Sequence, residues 1–447
     1  MAQVDSYSSD VIVIGAGGCG LIAALAAAEK GARVVVLEKT EKPGGGTIFS
    51  SRSLGAAGTR FQRAEGIEDD PGKYAREILR RNRGRSDPAL TQRLAEESAR
   101  TVEWLADIAS IEFEIRKHSF GHSVYRSHAW KADRTIIDYL MGAVQRHKNI
   151  GVLFSTPARS LGVDSSGAVT GVVTNTGVME AWKVILATGG YGASRELLSR
   201  YIPKAVDIPF PGHSGSTGDG LRMGLELGAA VENLDAFQPF PTYVAPLKCG
   251  VPPDVVILGG ILVDKNGRRF FNETEFPGGI GEKMLDLPDK QAYEIFDERL
   301  FRLNQAGLSK VVAGAMLEKA ESVSELAVKL GIDPRGLEKT VREYNSAAGG
   351  KDAFGRNVPA ALEKPLYGIK VWVALYHTQG GLKVNTNAQV LRPDGTVIPN
   401  LYAGGGAATG VSGPGPDGYL PGNGLLASLG LGKIAGEHAA ASLKETG

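Results

Sequence analysis

Four β-branched residues, Val11 to Ile14, run directly into Gly15-Ala16-Gly17-Gly18-Cys19-Gly20. An Ala- and Leu-rich segment, Cys19 to Lys30, follows and stops at Gly31. Arg33 to Leu37 is a second apolar run, ending on Glu38. This order predicts a buried strand, a glycine turn, a helix and a second parallel strand, the size of one crossover unit. The G-x-G-x-x-G glycines permit a tight turn, backbone approach to a pyrophosphate, and close helix–strand contact. Free N–H groups at the helix start favour phosphate. Glu38 stands 18 residues beyond Gly20, where a carboxylate accepts hydrogen bonds from ribose hydroxyls. A dinucleotide site is the expectation; the motif alone leaves NAD and FAD both open.

The rest of the chain narrows the class. Lys+Arg total 50 against 49 Asp+Glu, a balance that argues against a nucleic-acid or anionic-membrane binder. Gly is the outlier at 60 of 447, without a collagen period, so the glycines serve local backbone geometry. Two cysteines, Cys19 and Cys249, exclude a disulfide framework and any four-Cys metal site. No signal peptide or transmembrane run is read, so a cytoplasmic location is expected. Residues 43–59 read as a Gly/Ser-rich loop. Ser86-Asp87-Pro88 reads as a helix start, and Ser322 with Glu325 as a capping box. Lys183 to Ala187 reads as a strand opening into Thr188-Gly189-Gly190. Pro399-Asn400 is turn chemistry before a strand at Leu401-Tyr402-Ala403, and Gly424 to Ala441 reads as a final helix. Crossover units at both ends around a different middle give the fold class: α/β, a Rossmann-type domain split by an insertion.

Taken together these stretches resemble the fumarate reductase and succinate dehydrogenase flavoprotein family, with features of the 3-ketosteroid dehydrogenases. The matching segments include VIVIGAGGCG at 11–20, VVVLEKTEKPGGGT at 34–47, DPAL at 87–90, GHSVYRSH at 121–128 and VILATGGYG at 184–192. They continue with TGDG at 217–220, GRRFFNE at 267–273, YHTQGGL at 376–382, IPNLYAGG at 398–405 and GYLPGNGL at 418–425. The resemblance implies FAD in a split Rossmann domain, 1–237 plus 364–447, with an α+β capping domain at 238–363. It implies cofactor contacts from Gly15, Gly17, Gly18, Gly20, Glu38, Lys39, Gly45, Gly46, Thr47, Gly58, Ala187, Thr188, Gly189, Asp219, Gly405, Asn423, Gly424 and Leu425. Asp219 is expected near the flavin. The covalent His of succinate dehydrogenases has no counterpart in GGGTIFSS, so noncovalent FAD is expected.

Gly422-Asn423-Gly424 would present a helix N-terminus to the flavin, where a positive dipole end favours anionic reduced flavin. The plainer alternative is that Asn423 caps the helix.

The chain departs from the family at the substrate. No Arg follows Asn272-Glu273 over residues 274–278, where the family's proton donor is expected. Gln238-Pro239-Phe240-Pro241-Thr242 lacks the His of the matched stretch, and Gly406 stands where a Glu is usual. Arg52-Ser53 replaces paired glycines facing the flavin. Tyr419 stands where an Arg clamps a substrate carboxylate. A dicarboxylate needs planar bidentate Arg clamps, so ordinary fumarate reduction is not expected.

The resemblance to the 3-ketosteroid dehydrogenases, which have a Tyr before a Gly-rich stretch at this place, implies that Tyr419 and a nearby backbone N–H hold a ketone oxygen and so stabilise the enolate left when an α-proton is removed. His377 is the strongest single candidate for binding a carbonyl or carboxylate oxygen. Because the related ketone dehydrogenases use a tyrosine base, the resemblance makes Tyr243, Tyr125 and Tyr376 candidate α-proton bases, each needing a lowered pKa. Arg126, His128 and Arg52 are candidates for meeting an acidic part of a substrate.

The leading expectation is an FAD-dependent desaturase acting beside the carbonyl of a small cyclic ketone or keto acid. The alternative is a fumarate-reductase-like ene-reductase of an unsaturated acid or enone. A third reading is a noncatalytic flavin-binding protein. Expected partners are a small-molecule substrate and a soluble electron acceptor or oxygen, without nucleic acid, membrane or metal; the oligomeric state is left open.

Overall fold

The computed structural model describes residues 9–50, 52–117, 121–131, 133–275, 278–415 and 418–443. The chain divides into two compact units: residues 1–203, 212–237 and 377–447 form the first, and 204–211 with 238–376 the second.

The first unit is built on an eight-stranded sheet. The strand Ser9–Ile14 lies between Val34–Leu37 and Val178–Leu186, parallel to both, with Val11 opposite Val34 and Ile14 opposite Leu37 and Leu186. Ile150–Leu153 extends the sheet beyond Val34–Leu37, and Leu401 to Ala403 pair in parallel with Val184 to Leu186. Nearly continuous Val/Ile/Leu runs belong to strands buried on both faces. The fingerprint helix, Gly18–Glu29, is buried from Gly18 to Ala28, so its sequence is apolar around its circumference rather than striped.

That helix packs on the C-terminal helix, Asn423–Ala441, at backbone contact. A Cβ on Gly432 would lie 2.4 Å from the Cys19 carbonyl oxygen, and one on Gly436 2.2 Å from that of Ala23. Glycine four residues apart therefore sets this helix spacing.

The sequence reading differs from the structure at four places, the last of them the Ser322 cap. Residues 43–59 contain a 3₁₀ turn, Gly45–Phe49, and a strand, Ser53–Gly55, which pairs antiparallel with Ser127–Trp130. Pro399-Asn400 is not a turn: Val397–Ala403 is one strand. Asn400 absorbs the irregularity with φ 67°, accepting from Lys183 Nζ at 2.9 Å and donating to the Val169 carbonyl at 3.1 Å. The second-unit boundary falls at 376 rather than 363. The strand Leu366–Thr378 is one reason: it pairs with Gln291–Asp297 and Leu317–Ala320.

The second unit holds an antiparallel sheet ordered Cys249–Gly250, Phe237–Val244, Leu366–Thr378, Gln291–Asp297, Ile261–Val263. It carries the helices Glu298–Ala313, Val323–Leu330 and Pro334–Ser346. Ser322 accepts from the Glu325 N–H, but Glu325 reaches back to the Glu321 N–H rather than to Ser322.

Candidate functional site

The fingerprint turn is as tight as its glycines allow. A Cβ on Gly15 would lie 2.4 Å from the Ala187 carbonyl oxygen, and one on Gly20 would lie 1.8 Å from that of Gly15. Gly17, by contrast, has no atom closer than 3.7 Å to that position. It caps the helix without a side chain, leaving the N-terminal approach open. The Gly18 N–H donates to Thr47 Oγ1 at 3.2 Å, and Gly17 bridges to Gly44, drawing the Gly45–Phe49 turn to the helix start. Glu38 is buried; it accepts from the Ala16 N–H at 2.9 Å and from the Thr40 N–H and hydroxyl at 2.9 and 2.8 Å. These bonds fix its carboxylate at the strand end and use three of its roughly four lone-pair sites, leaving one for a ribose hydroxyl.

Ala187, Thr188 and Gly189 follow the strand Val178–Leu186, and Thr188 Oγ1 accepts from the Gly220 N–H at 3.1 Å. Gly405 has φ 61°, just after Gly404 donates to the Leu186 carbonyl. Gly46 is exposed and has no atom within 4 Å of its Cβ position. Two of the expected cofactor residues also bond within the protein. Asp219 accepts from Lys39 Nζ at 2.7 Å through one oxygen and from the Thr217 hydroxyl at 2.7 Å through the other. The N–H of Gly58 donates to Gln62 Oε1 at 2.7 Å, beside the Thr59 helix cap.

At the start of the C-terminal helix the structure gathers His377, Tyr419, Asn423 and Gly424. His377 and Tyr419 meet edge to face, with ring centroids 5.4 Å apart. A Cβ on Gly424 would lie 3.6 Å from both His377 Nε2 and the Tyr419 hydroxyl oxygen. Burial drives the His377 imidazole down to about 4, so it is neutral at pH 7. Burial raises the Tyr419 hydroxyl, while the Gly424 and Gly422 N–H groups at its oxygen pull the other way. Gly422, with φ 96°, is the N-cap and Asn423 the first helical residue, which removes the capping role considered for Asn423. Asn423 Oδ1 is buried without a partner, and so are both amide atoms of Gln379. Leu425 is half-buried one residue further on.

Residues 10–425 match the model of a family described as FAD binding domain. The chain belongs to that flavoprotein family. It is 33% identical to a probable fumarate reductase of Shewanella frigidimarina over 98% of this chain and 76% of that protein. The open form of a flavocytochrome c3 fumarate reductase superposes with a TM-score of 0.84 at 32% identity, over 98% of this chain and 78% of that one. A 3-ketosteroid Δ4-(5α)-dehydrogenase of Rhodococcus jostii shares the fold, with a TM-score of 0.80 at 24% identity over 98% of both chains. The cofactor is FAD. The cradle fits it: glycines stand where backbone must approach, a buried carboxylate stands at the ribose position, and orphaned polar atoms stand at the far helix end. Binding is noncovalent, since Gly46 and its neighbours in GGGTIFSS offer no histidine.

Within this flavoprotein, Arg126 is not a substrate cation. It is 1% exposed, and its guanidinium bonds Asp69 at 2.7 and 2.8 Å and Glu77 at 2.5 and 3.3 Å. Burial works to raise Glu77, but the Arg126 and Ser123 hydrogen bonds outweigh it and hold that carboxyl down to about 2. His128 is also structural: it bonds Thr59 Oγ1 at 2.7 Å and the Arg126 carbonyl at 2.9 Å, and burial drives it down to about 4. Tyr125 is 39% exposed, and its carbonyl accepts from Gln62. Arg52, at φ 58°, lines a cavity of about 260 Å³ with Thr47, Trp130 and Arg134.

In the second unit, Tyr243 is buried beside Phe240 and Ala374, and Tyr376 stacks on Phe240 at 4.2 Å. Burial raises both hydroxyls, with Cys249 adding to each, which is the wrong direction for a resting base. Glu273 of the matched Asn-Glu pair is locked by Arg269 at 2.8 and 2.6 Å and by Arg356 at 2.7 Å. The orphaned Tyr74 hydroxyl and the Gln379 amide escaped sequence reading. Gln379 had a signal, since it sits in the matched H-T-x-G-G stretch; Tyr74 had none.

Proposed function

We propose that this flavoprotein reduces the C=C bond of an enone or similarly carbonyl-conjugated alkene. The observation that carries the reading is the convergence of two neutral groups, His377 Nε2 and the Tyr419 hydroxyl, on the Gly424 position. FAD, when bound, supplies or takes the hydride of a CH–CH oxidation or reduction. The protein's task is then to hold the oxygen on which charge develops. Tyr419 donates its O–H to that oxygen, and His377 in its neutral form is a second donor or a positioning group. Both sit at a helix N-terminus, whose positive dipole end favours developing negative charge.

A dicarboxylate fits this end poorly. The clamp position is Tyr419, and Arg126 is neutralised by two carboxylates. The reductive direction is taken over desaturation because the Shewanella protein and the flavocytochrome, each above 30% identity, carry the name fumarate reductase. Direction itself is set by flavin potential and electron partner.

Binding tests this without turnover. A phenol is a planar stand-in for the enol or enolate. Titrating oxidised, FAD-loaded protein with phenol and with succinate is expected to give a flavin spectral change with phenol at concentrations where succinate gives none. Tighter binding of succinate than of phenol would refute the reading.

A further inference from the structure

Tyr419 and the C-terminal helix are joined by a tight turn. The Asn423 N–H donates to the Leu420 carbonyl at 3.1 Å, Pro421 is second in the turn, and Gly422 is third at φ 96° and ψ −20°. These are the marks of a type II turn, which favours Pro second and needs positive φ third. Types I and II differ chiefly in which way the central peptide faces, here the one between Pro421 and Gly422. A trans peptide is planar, so its carbonyl and its N–H point opposite ways. Whatever holds the Pro421 carbonyl therefore aims the Gly422 N–H.

That holder is His122. Its Nε2 lies 2.8 Å from the Pro421 carbonyl oxygen, and its Nδ1 lies 3.4 Å from Arg126 Nη1. A carbonyl only accepts and a guanidinium only donates, so His122 is neutral with its proton on Nε2. Burial lowers the imidazole pKa, and the Arg126 charge adds to this against the opposing pull of the Pro421 bond. Asp69 and Glu77 fix the Arg126 guanidinium in turn. Arg126 lies over the Tyr74 ring at 4.7 Å, and the His122 ring lies 5.8 Å from it. Tyr74 is fully buried on the helix Pro71–Arg81, its hydroxyl without a partner. A Cβ on Gly121 would lie 3.5 Å from Leu420 Cδ1, so residues 121 and 122 meet the turn at two successive positions.

We propose that His122, locked in one tautomer by Arg126, positions Tyr419 by holding the Pro421–Gly422 peptide in this orientation. The inference rests on the proposed role of Tyr419 in holding the substrate oxygen. With the carbonyl held by His122, the Gly422 N–H faces the Tyr419 oxygen, and the phenol keeps its own O–H for the substrate. Without the Nε2 donor the peptide is free to turn, and the N–H turns with it. His122 is thus a positioning residue, and Arg126 acts on the site through it.

Substitutions that separate the ring from its donor test this. His122→Phe keeps a ring and loses the donor; His122→Gln loses the ring and keeps one donor and one acceptor. In oxidised, FAD-loaded protein with ring-labelled tyrosine, the Tyr419 resonance is identified by its loss in Tyr419→Phe. It is expected to move in His122→Phe and to return to the wild-type position in His122→Gln. A resonance unmoved in His122→Phe would overturn the positioning. With 2-cyclohexen-1-one as oxidant of the reduced protein, His122→Phe is expected to slow reoxidation by about 10-fold, within the loss that a misplaced group causes. In a Tyr419→Phe background it is expected to add nothing. Equal slowing with and without the Tyr419 hydroxyl would also overturn the positioning. Should His122→Phe retain no FAD, His122→Asn decides in its place, since it keeps an acceptor for Arg126 but is too short to reach Pro421. An enone inert toward wild type would count against the proposed function, while the tyrosine resonance would still decide the positioning.

Discussion

His377 and Tyr419 meet edge to face, their ring centroids 5.4 Å apart and their planes inclined by 63°. The strand end brings one ring and the turn before the C-terminal helix brings the other. Neither is charged at pH 7, because burial lowers the imidazole and raises the phenol. In the proposed function this pair, rather than an arginine clamp, meets the substrate oxygen at the helix N-terminus.

Removing one donor from this pair isolates its contribution. Tyr419→Phe is expected to slow enone-driven flavin reoxidation by about 100-fold, the typical cost of losing one oxyanion donor. FAD content and the oxygen reaction should stay near wild type. Stopped-flow absorbance checks this.

The chain made the nucleotide end legible because its glycines mark places where backbone meets backbone. Gly15, Gly20, Gly432 and Gly436 each stand where a Cβ would strike a carbonyl oxygen, and a single sequence carries that pattern locally. The role of Arg126 was not legible. Asp69 and Glu77 lie 57 and 49 residues away, and a cation's partners across such separations are fixed only by the fold. The same holds for Tyr74, whose hydroxyl is orphaned by tertiary packing. Pro399-Asn400 misled because local turn chemistry was overridden by pairing of its strand with Val178–Leu186.

Arg126 offers a sharp test of structure against substrate binding. Arg126→Met leaves Asp69 and Glu77 buried without their cation, so a stability loss of about 3–5 kcal/mol is expected. Urea unfolding measures it. A variant of wild-type stability with weakened ligand binding would return Arg126 to the substrate.

Acid should weaken the fold through its buried histidines. His128 and His377 both lie at about 4 against an ordinary 6.5, so the unfolded chain binds protons that the folded chain refuses. Their contribution is fully present above pH 6.5 and is lost as pH falls from there toward 4. Thermal melts across that window should show a steady decline that is shallower in His128→Asn if that variant folds.

Glu294 behaves in the opposite sense. It is fully buried on the strand Gln291–Asp297, neither oxygen has a partner, and burial raises it well above the usual carboxylate range. Folding holds its proton, so its contribution falls as pH rises above the unfolded value near 4.5. Glu294→Met should stabilise the protein by about 1–3 kcal/mol, the cost of an unsatisfied buried group. Denaturant unfolding at pH 8 is the measurement.

The cofactor cradle has its own test. A methyl on Gly20 cannot coexist with the Gly15 carbonyl 1.8 Å away, so Gly20→Ala should yield folded protein that retains no FAD. Flavin absorbance after gel filtration reads this directly.

The central claim concerns the substrate's charge. Anaerobically reduced, FAD-loaded protein should be mixed in a stopped-flow with equal concentrations of 2-cyclohexen-1-one or fumarate, and flavin reoxidation followed. The account predicts faster reoxidation by the enone, by about 10-fold or more, given the missing bidentate clamp. The product should be the saturated ketone, two mass units heavier than the enone. Rapid reoxidation by fumarate, with the enone inert, would contradict it.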